Sequence, residues 1–253
     1  MQNDRLRDSL LDHGLTPEAV AEKLNVDLKT VERWITTGRT PYPRYRHAIA
    51  AMVGRGEAYL WPDALPADRR TEVATSEIIQ VYPHRAAIPS DLWPRMLKNA
   101  SEHIDVLVYA GLFLPEQNAR LMKMLCEQAA TGTRVRILLG DPESRAVALR
   151  GTEEEIGEAM ASKIRNVLVL YKTLASVERI EVRLHATTLY NSIFRFDENM
   201  FVNSHIYGVP AANAPVIHLR RLSEGDVFDT YSDSYERVWQ GARQAWPHGR
   251  IEA

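Results

Sequence analysis

Two apolar runs flanking a helix-like segment constrain this chain more than any other feature. Asp105 to Gly111 (DVLVYAG) and Thr133 to Pro142 (TRVRILLGDP) have the composition of buried strands, the second ending in turn-forming residues. Pro115 to Thr131, between them, reads as a helix. A strand, a helix and a strand in that order imply a right-handed crossover and parallel pairing. A long helical region from about Thr152 to Ala175 follows. Strands are then expected at Arg179 to His185, in SIFRFD and MFVNSHIY, and at Pro215 to Arg221. Val227 to Ala242 reads as an amphipathic helix carrying Phe228, Tyr231, Tyr235, Val238 and Trp239. Helices alternating with strands, then a cluster of strands, predict an α/β sandwich.

The start of the chain has a different character. Apolar residues at helical spacing run through Leu6, Leu10 and Leu11, through Val20, Ala21 and Leu24, through Leu28, Val31, Trp34 and Ile35, and through Ile49, Met52 and Val53. Four short helices fit these 55 or so residues. Thr16 before Pro17 is a good helix start, because threonine caps free N–H groups and proline is tolerated at the first helical position. Asp27 can cap the next helix. Trp61 to Ser76 holds two prolines, several charges and no sustained period, and reads as a linker. The expected organisation is therefore an all-α domain over 1–60, a linker over 61–76 and an α/β domain over 77–253.

Thr16 to Pro41 (TPEAVAEKLNVDLKTVERWITTGRTP) has the parts of a helix-turn-helix. Ala21 is small where two helices approach closely, Asn25 suits a left-handed turn, Val26 plugs the core, and Val31 with Trp34 anchors the second helix. Residues 4 to about 55 resemble the phage-repressor-like XRE (Cro/CI) class and, more loosely, the MerR type, with asparagine replacing the usual turn glycine. In that class the second helix enters the major groove. The resemblance therefore assigns DNA contacts to Asp27, Leu28, Lys29, Thr30, Glu32 and Arg33, with Arg33 the first choice for reading a base. Positive charge from Lys29 to Arg46 (Lys29, Arg33, Arg39, Arg44, Arg46, against Glu32 alone) is concentrated where phosphates would pass. One such domain contacts few phosphates, so a dimer reading two half-sites of a double-stranded operator is expected.

RVRILLGDP after a helix, followed by RLHATTLYNSIFRFDENMFVNSHIYG, resembles one half of the phospholipase D superfamily fold over residues 90 to 242. That family carries HxK(x)4D(x)6GSxxN, in which histidine attacks phosphorus and lysine holds phosphate oxygens. Starting from His185, Thr187 falls at the lysine position and Ser192 at the aspartate position. Starting from Asp197, which ends a strand as the family's aspartate does, Tyr190 takes the histidine position and Ser192 the lysine position, with Asn203 and Ser204 near the Gly-Ser pair. Neither register keeps the lysine that would neutralise a phosphoryl transition state, so no catalytic residue is assigned. If the chain were a phosphodiesterase or nuclease directed to nucleic acid by its first domain, His185 and His205 would be the candidates. The polar residues that remain are His185, Thr187, Tyr190, Asn191, Arg195, Asp197, Asn203, Ser204 and His205. They are expected to line a groove for a small polar or phosphate-bearing effector. Side chains alternate along a strand, so Tyr190, Ser192 and Phe194 face one way and Asn191, Ile193 and Arg195 the other. One half-fold per chain again suggests a homodimer.

Composition narrows the classes that remain. The single cysteine, Cys126, excludes an internal disulfide framework, and no apolar run approaches 18 residues, so a soluble cytoplasmic protein without membrane contact is expected. A formal net charge of -2 argues against indiscriminate coating of nucleic acid. No HxxxE, CxxC or HExxH spacing appears and the glycines form no phosphate loop, so neither metal nor cofactor is expected. The sequence thus points to a DNA-binding transcriptional regulator whose second domain dimerises and senses a ligand.

Overall fold

The computed structural model describes residues 2–64, 67–223 and 225–246; Leu65 and Pro66 of the expected linker and the last seven residues of the expected α/β domain lie outside them. The chain forms two units. The first comprises residues up to Ile78 with Arg221–Ser232, the second Ile79–Arg220 with the residues from Asp233 onward.

Helices make up the first unit: α1 (Asp4–Asp12), α2 (Pro17–Leu24), α3 (Leu28–Thr36), α4 (Pro43–Met52), α5 (Glu57–Leu60) and α6 (Ala67–Glu77). The local signals behave as elementary chemistry requires. Asn3 caps α1 through Oδ1 and donates from Nδ2 to the Leu60 carbonyl. Thr16 Oγ1 accepts from the Ala19 N–H with Pro17 at the first helical position. Asn25 ends α2 at φ +50°, where its N–H returns to the Ala21 and Glu22 carbonyls. Two residues later Asp27 caps α3 by accepting from the Lys29 N–H at 2.8 Å. Leu6, Val20, Val31, Trp34, Ile49, Val53 and Leu60 close into one buried core.

The stretch read as a linker is not structureless, because α6 occupies most of it and ends in a buried carboxylate. Glu77 accepts from the N–H groups of Asp226, Val227 and Phe228. These open the final helix, and its positive end and free N–H groups suit an anion. Burial nevertheless raises the Glu77 pKa. Asp229, also buried, accepts from the Gly56 N–H at 2.7 Å and from Arg221 at 2.8 Å.

An eight-stranded sheet forms the second unit. Its elements are β1 (Ile78–Tyr82), α7 (Leu92–Asn99), β2 (His103–Leu107), α8 (Phe113–Gln117), α9 (Leu121–Ala130), β3 (Arg134–Gly140), α10 (Arg145–Glu153), α11 (Ala159–Tyr171), β4 (Ile180–His185), β5 (Asn191–Phe196), β6 (Asn199–Ser204), β7 (Val216–Arg220), α12 (Val227–Gly241) and β8 (Arg243–Gln244). Strand order is β1-β7-β6-β5-β2-β3-β4-β8. β2, β3 and β4 pair in parallel, as the strand-helix-strand order predicts, and β5, β6, β7 and β8 join antiparallel. The helical region expected over 152–175 is two helices, parted where Glu155 and Gly157 take positive φ. Likewise the helix expected over 115–131 is divided into α8 and α9.

The two faces of the sheet carry different chemistry. On one, Trp93 of α7 packs edge-on against Phe194 and at a tilt against Phe201, at ring distances of 5.2 and 4.9 Å. On the other, Asp105 stands between Arg136 and Arg195 in register. Asp105 is 1% exposed and Arg136 3%. Arg136 donates two bonds to Asp105, at 2.7 and 2.9 Å, and two to Glu236 of α12, at 2.9 and 2.7 Å. The Tyr235 hydroxyl donates to the Arg136 carbonyl, and the guanidinium lies over the Tyr235 and Trp239 rings. The final helix is thereby fixed to the sheet by a fully bonded buried charge rather than by apolar contact alone.

Candidate functional site

Two places gather polar side chains without consuming them in the fold. The first is the outer side of α3. Val31, Trp34 and Ile35 turn inward, so Lys29, Glu32 and Arg33 point to solvent. Among the described residues, Lys29, Arg33 and Arg39 have no carboxylate partner. Arg44 lies over the Tyr45 ring, 4.5 Å from its centre. Arg33, Arg39, Thr30, Tyr42 and Tyr45 border a groove of about 550 Å³. Other residues from the expected DNA-contact set do structural work. Asp27 caps α3, Leu28 packs against the core, and Arg46 is tied to Glu57 and to the Pro41 carbonyl.

The second place is a cavity of about 230 Å³ where the chain leaves β2, bordered by Tyr109, Gly111 and Phe113 from that loop, Arg85, Ser192, His205, Glu154 and Lys163. It lies beyond the carboxyl end of a parallel strand, where open α/β sheets place their ligands. Ser192 and His205 belong to the Trp93 side of the sheet, with Phe194 and Phe201 between them and the strand ends.

Hydrogen bonds fix the state of each histidine. His205 Nδ1 faces the Leu189 carbonyl at 3.2 Å and so carries the proton; Nε2 therefore accepts from the Ser192 hydroxyl at 2.9 Å. The ring stacks on Tyr109. Burial, with the charges of Arg150 and Arg85, pushes its pKa down to about 4. His185 is held on both sides by main chain: Nδ1 accepts from the Thr187 N–H and Nε2 donates to the Val108 carbonyl. Burial lowers its pKa as well. With both nitrogens engaged and the ring 2% exposed, His185 has no lone pair to offer a substrate.

The nine residues expected to form one groove are separated. His205 reaches the cavity. Arg195 faces the opposite side of the sheet and bonds the Asp197 carbonyl, with its guanidinium 3.6 Å from Asp105. Asp197 sits five residues along β5 from Ser192, roughly 16 Å at strand rise. Its carboxylate accepts from the N–H groups of Ser101, Glu102 and His103 and from the Ser101 hydroxyl. These bonds outweigh the cost of burial and lower its pKa. It is a turn anchor at φ +49° rather than a groove residue. Asn203 is buried and donates to the Ala214 and Pro215 carbonyls. Tyr190 is 81% exposed, Thr187 is exposed, and neither they, Asn191 nor Ser204 border the cavity.

Arg85, Tyr109, Phe113, Glu154 and Lys163 were not indicated by any motif. Tyr109 had a signal, since it ends a buried parallel strand; Arg85 had none. Among the described residues no three of His, Cys, Asp and Glu come together as metal ligands. No helix among them is long and apolar enough to cross a membrane.

No family model matches the chain, and no curated protein does. Solved structures share part of its form. TrmBL2, an archaeal chromatin protein whose structure shows a novel mode of DNA binding, is 15% identical over 66% of this chain and 52% of its own, with a TM-score of 0.40. Nuc from Salmonella typhimurium, a phospholipase D family member, is 13% identical over 62% of this chain and 90% of its own, with a TM-score of 0.37. Phosphatidylserine synthase from Haemophilus influenzae Rd KW20 is 13% identical over 95% of this chain and 54% of its own, with a TM-score of 0.41. The chain thus spans about half the length of the first of these.

Proposed function

We propose that the protein is a DNA-binding transcriptional regulator with an XRE-type helix-turn-helix formed by α2 and α3. In this reading the α/β unit is a phospholipase-D-like domain without the family's catalytic set, which dimerises and binds a small polar or phosphate-bearing effector. The observation that supports it most directly is the outer side of α3, where Lys29 and Arg33 stand exposed without carboxylate partners among the described residues while Val31, Trp34 and Ile35 hold the helix from behind. A cationic side chain left uncompensated on a rigid helix is suited to guanine edges and phosphates. Thr30 and Glu32 flank it, and Arg39 and Arg44 extend the positive strip. The test is a gel shift against a selected operator library. Binding that falls steeply with salt and is weakened in Arg33→Ala supports the reading; a chain that shifts no duplex at low salt refutes it.

A second reading, hydrolysis of a phosphodiester, draws on the Ser192–His205 pair facing a cavity. It assigns the chemistry to His205, whose Nε2 accepts from the Ser192 hydroxyl at the cavity, and not to His185, which does not border it. Turnover of bis(p-nitrophenyl) phosphate abolished by His205→Ala would establish it.

A further inference from the structure

The cavity beyond β2 contains a cation that makes no ion pair with a carboxylate among the described residues. Arg85 lies over the Phe113 ring, 3.8 Å from its centre, and borders the cavity. Among the described residues no carboxylate pairs with it. The acidic group that acts on it, Glu154, is already bound by Arg150 at 2.7 Å. Burial draws the Arg85 pKa down to about 10. Removing a guanidinium from water without a partner is costly, and a fold that keeps one beside an open space stands to gain when an anion enters.

The rest of the lining indicates what kind of anion. Lys163 of α11 adds a second cation, also without a carboxylate partner among the described residues. His205 cannot serve as a third, because its nitrogens are committed to Leu189 and Ser192 and the ring stays neutral. Ser192 gives its proton to His205 and presents lone pairs, so it does not compete for the anion. Two carboxylates also border the cavity, Glu154, which Arg150 holds, and the exposed Glu116. Much of the remaining wall is apolar, and 230 Å³ is room for roughly eight waters at about 30 Å³ each.

We propose that this cavity binds a small organic oxyanion, a carboxylate or phosphomonoester on an apolar body, with Arg85 recognising the charge and Lys163 reinforcing it. The inference rests on the effector-binding part of the reading above and is independent of the DNA-binding part.

The experiment is calorimetric titration of the full chain, without DNA, with benzoate, phenyl phosphate, inorganic phosphate and phenol. Benzoate or phenyl phosphate binds, phenol does not, and Arg85→Ala weakens binding by about tenfold or more. Arg85→Lys recovers part of the loss, and Lys163→Gln weakens binding by about threefold. Which of the two organic probes binds better identifies the oxyanion, and weaker binding of inorganic phosphate shows the contribution of the apolar body. Near-ultraviolet circular dichroism confirms that each variant is folded; should Arg85→Ala not fold, the charge-retaining Arg85→Lys and the surface variant Lys163→Gln carry the test. Absence of binding by every anion, binding unchanged in the variants, or phenol binding as well as benzoate overturns the proposal. A chain that shifts DNA yet binds none of the probes refutes this site and leaves the regulator intact, whereas anion binding without a DNA shift does the reverse.

Discussion

Mild acid should destabilise this protein well above the range in which its carboxylates titrate. His205 and His218 are both shifted from 6.5 to about 4 in the fold. Burial is the main cause for each; Arg150, Arg85 and His185 add to it around His205, and Arg220 around His218. His218 is also stacked on Phe201, with ring centres 4.2 Å apart. In the unfolded chain both rings take a proton near pH 6.5, whereas the folded rings resist until about pH 4. The unfolded state therefore gains protons first, and stability that is complete above pH 6.5 is lost as the pH falls through this window. At pH 5 each ring has cost about 2 kcal/mol relative to pH 7.5, or about 4 kcal/mol for the pair. His185 and His103, whose pKa values burial also lowers, act in the same direction, while the raised Glu77 opposes them at the acid end. With a urea slope of about 2–3 kcal/mol/M, the unfolding midpoint should drop by roughly 1.5–2 M between pH 7.5 and 5. His218→Gln should remove about half of that dependence. A midpoint that moves by less than about 0.5 M, or an unchanged slope in His218→Gln, would refute the reasoning.

Other changes have equally definite outcomes. Lys29→Ala should weaken operator binding across sequences and flatten the salt slope by about one, whereas Arg33→Ala should cost about 1–3 kcal/mol and relax preference at one base position, both read by gel shift. Arg136→Met takes both short bonds from the buried Asp105 carboxylate, leaving it the 3.6 Å contact with Arg195, and should cost about 3–5 kcal/mol, seen as a lowered thermal midpoint; the double change Asp105→Leu with Arg136→Met should recover part of it, and an equal loss in both would refute the pairing. Asn25→Gly should leave thermal stability nearly unchanged, while Asn25→Val, forced to φ +50°, should cost about 1–2 kcal/mol.

What could be read from the sequence was local. Thr16, Asn25 and Asp27 act through bonds to their own neighbours within three or four residues, so their roles follow from type and position. The parallel core was legible because the segments around β2 and β3 are rich in apolar residues and separated by a helical repeat. Ala67–Glu77 was not: its polar sequence has no apolar stripe, and the partners of Glu77, at 226–228, are remote in the chain. Asp197 illustrates the same limit. Placed at a strand end it reads as a groove residue, yet its oxygens are taken by N–H groups almost a hundred residues earlier. Arg85 lies in a loop without a motif, and only the fold brings it beside Phe113 and His205.

The division of the chain has a consequence for how the protein is made. Residues up to Ile78 share their unit with Arg221–Ser232, and Gly56 and Glu77 find their hydrogen-bond partners only there. At ordinary rates of synthesis the ribosome needs roughly 10–30 s to add the intervening segment. Throughout that interval the carboxylate of Glu77 has no helix end to close, so Gly56 and the end of α6 find these partners only after Arg221–Ser232 has been made.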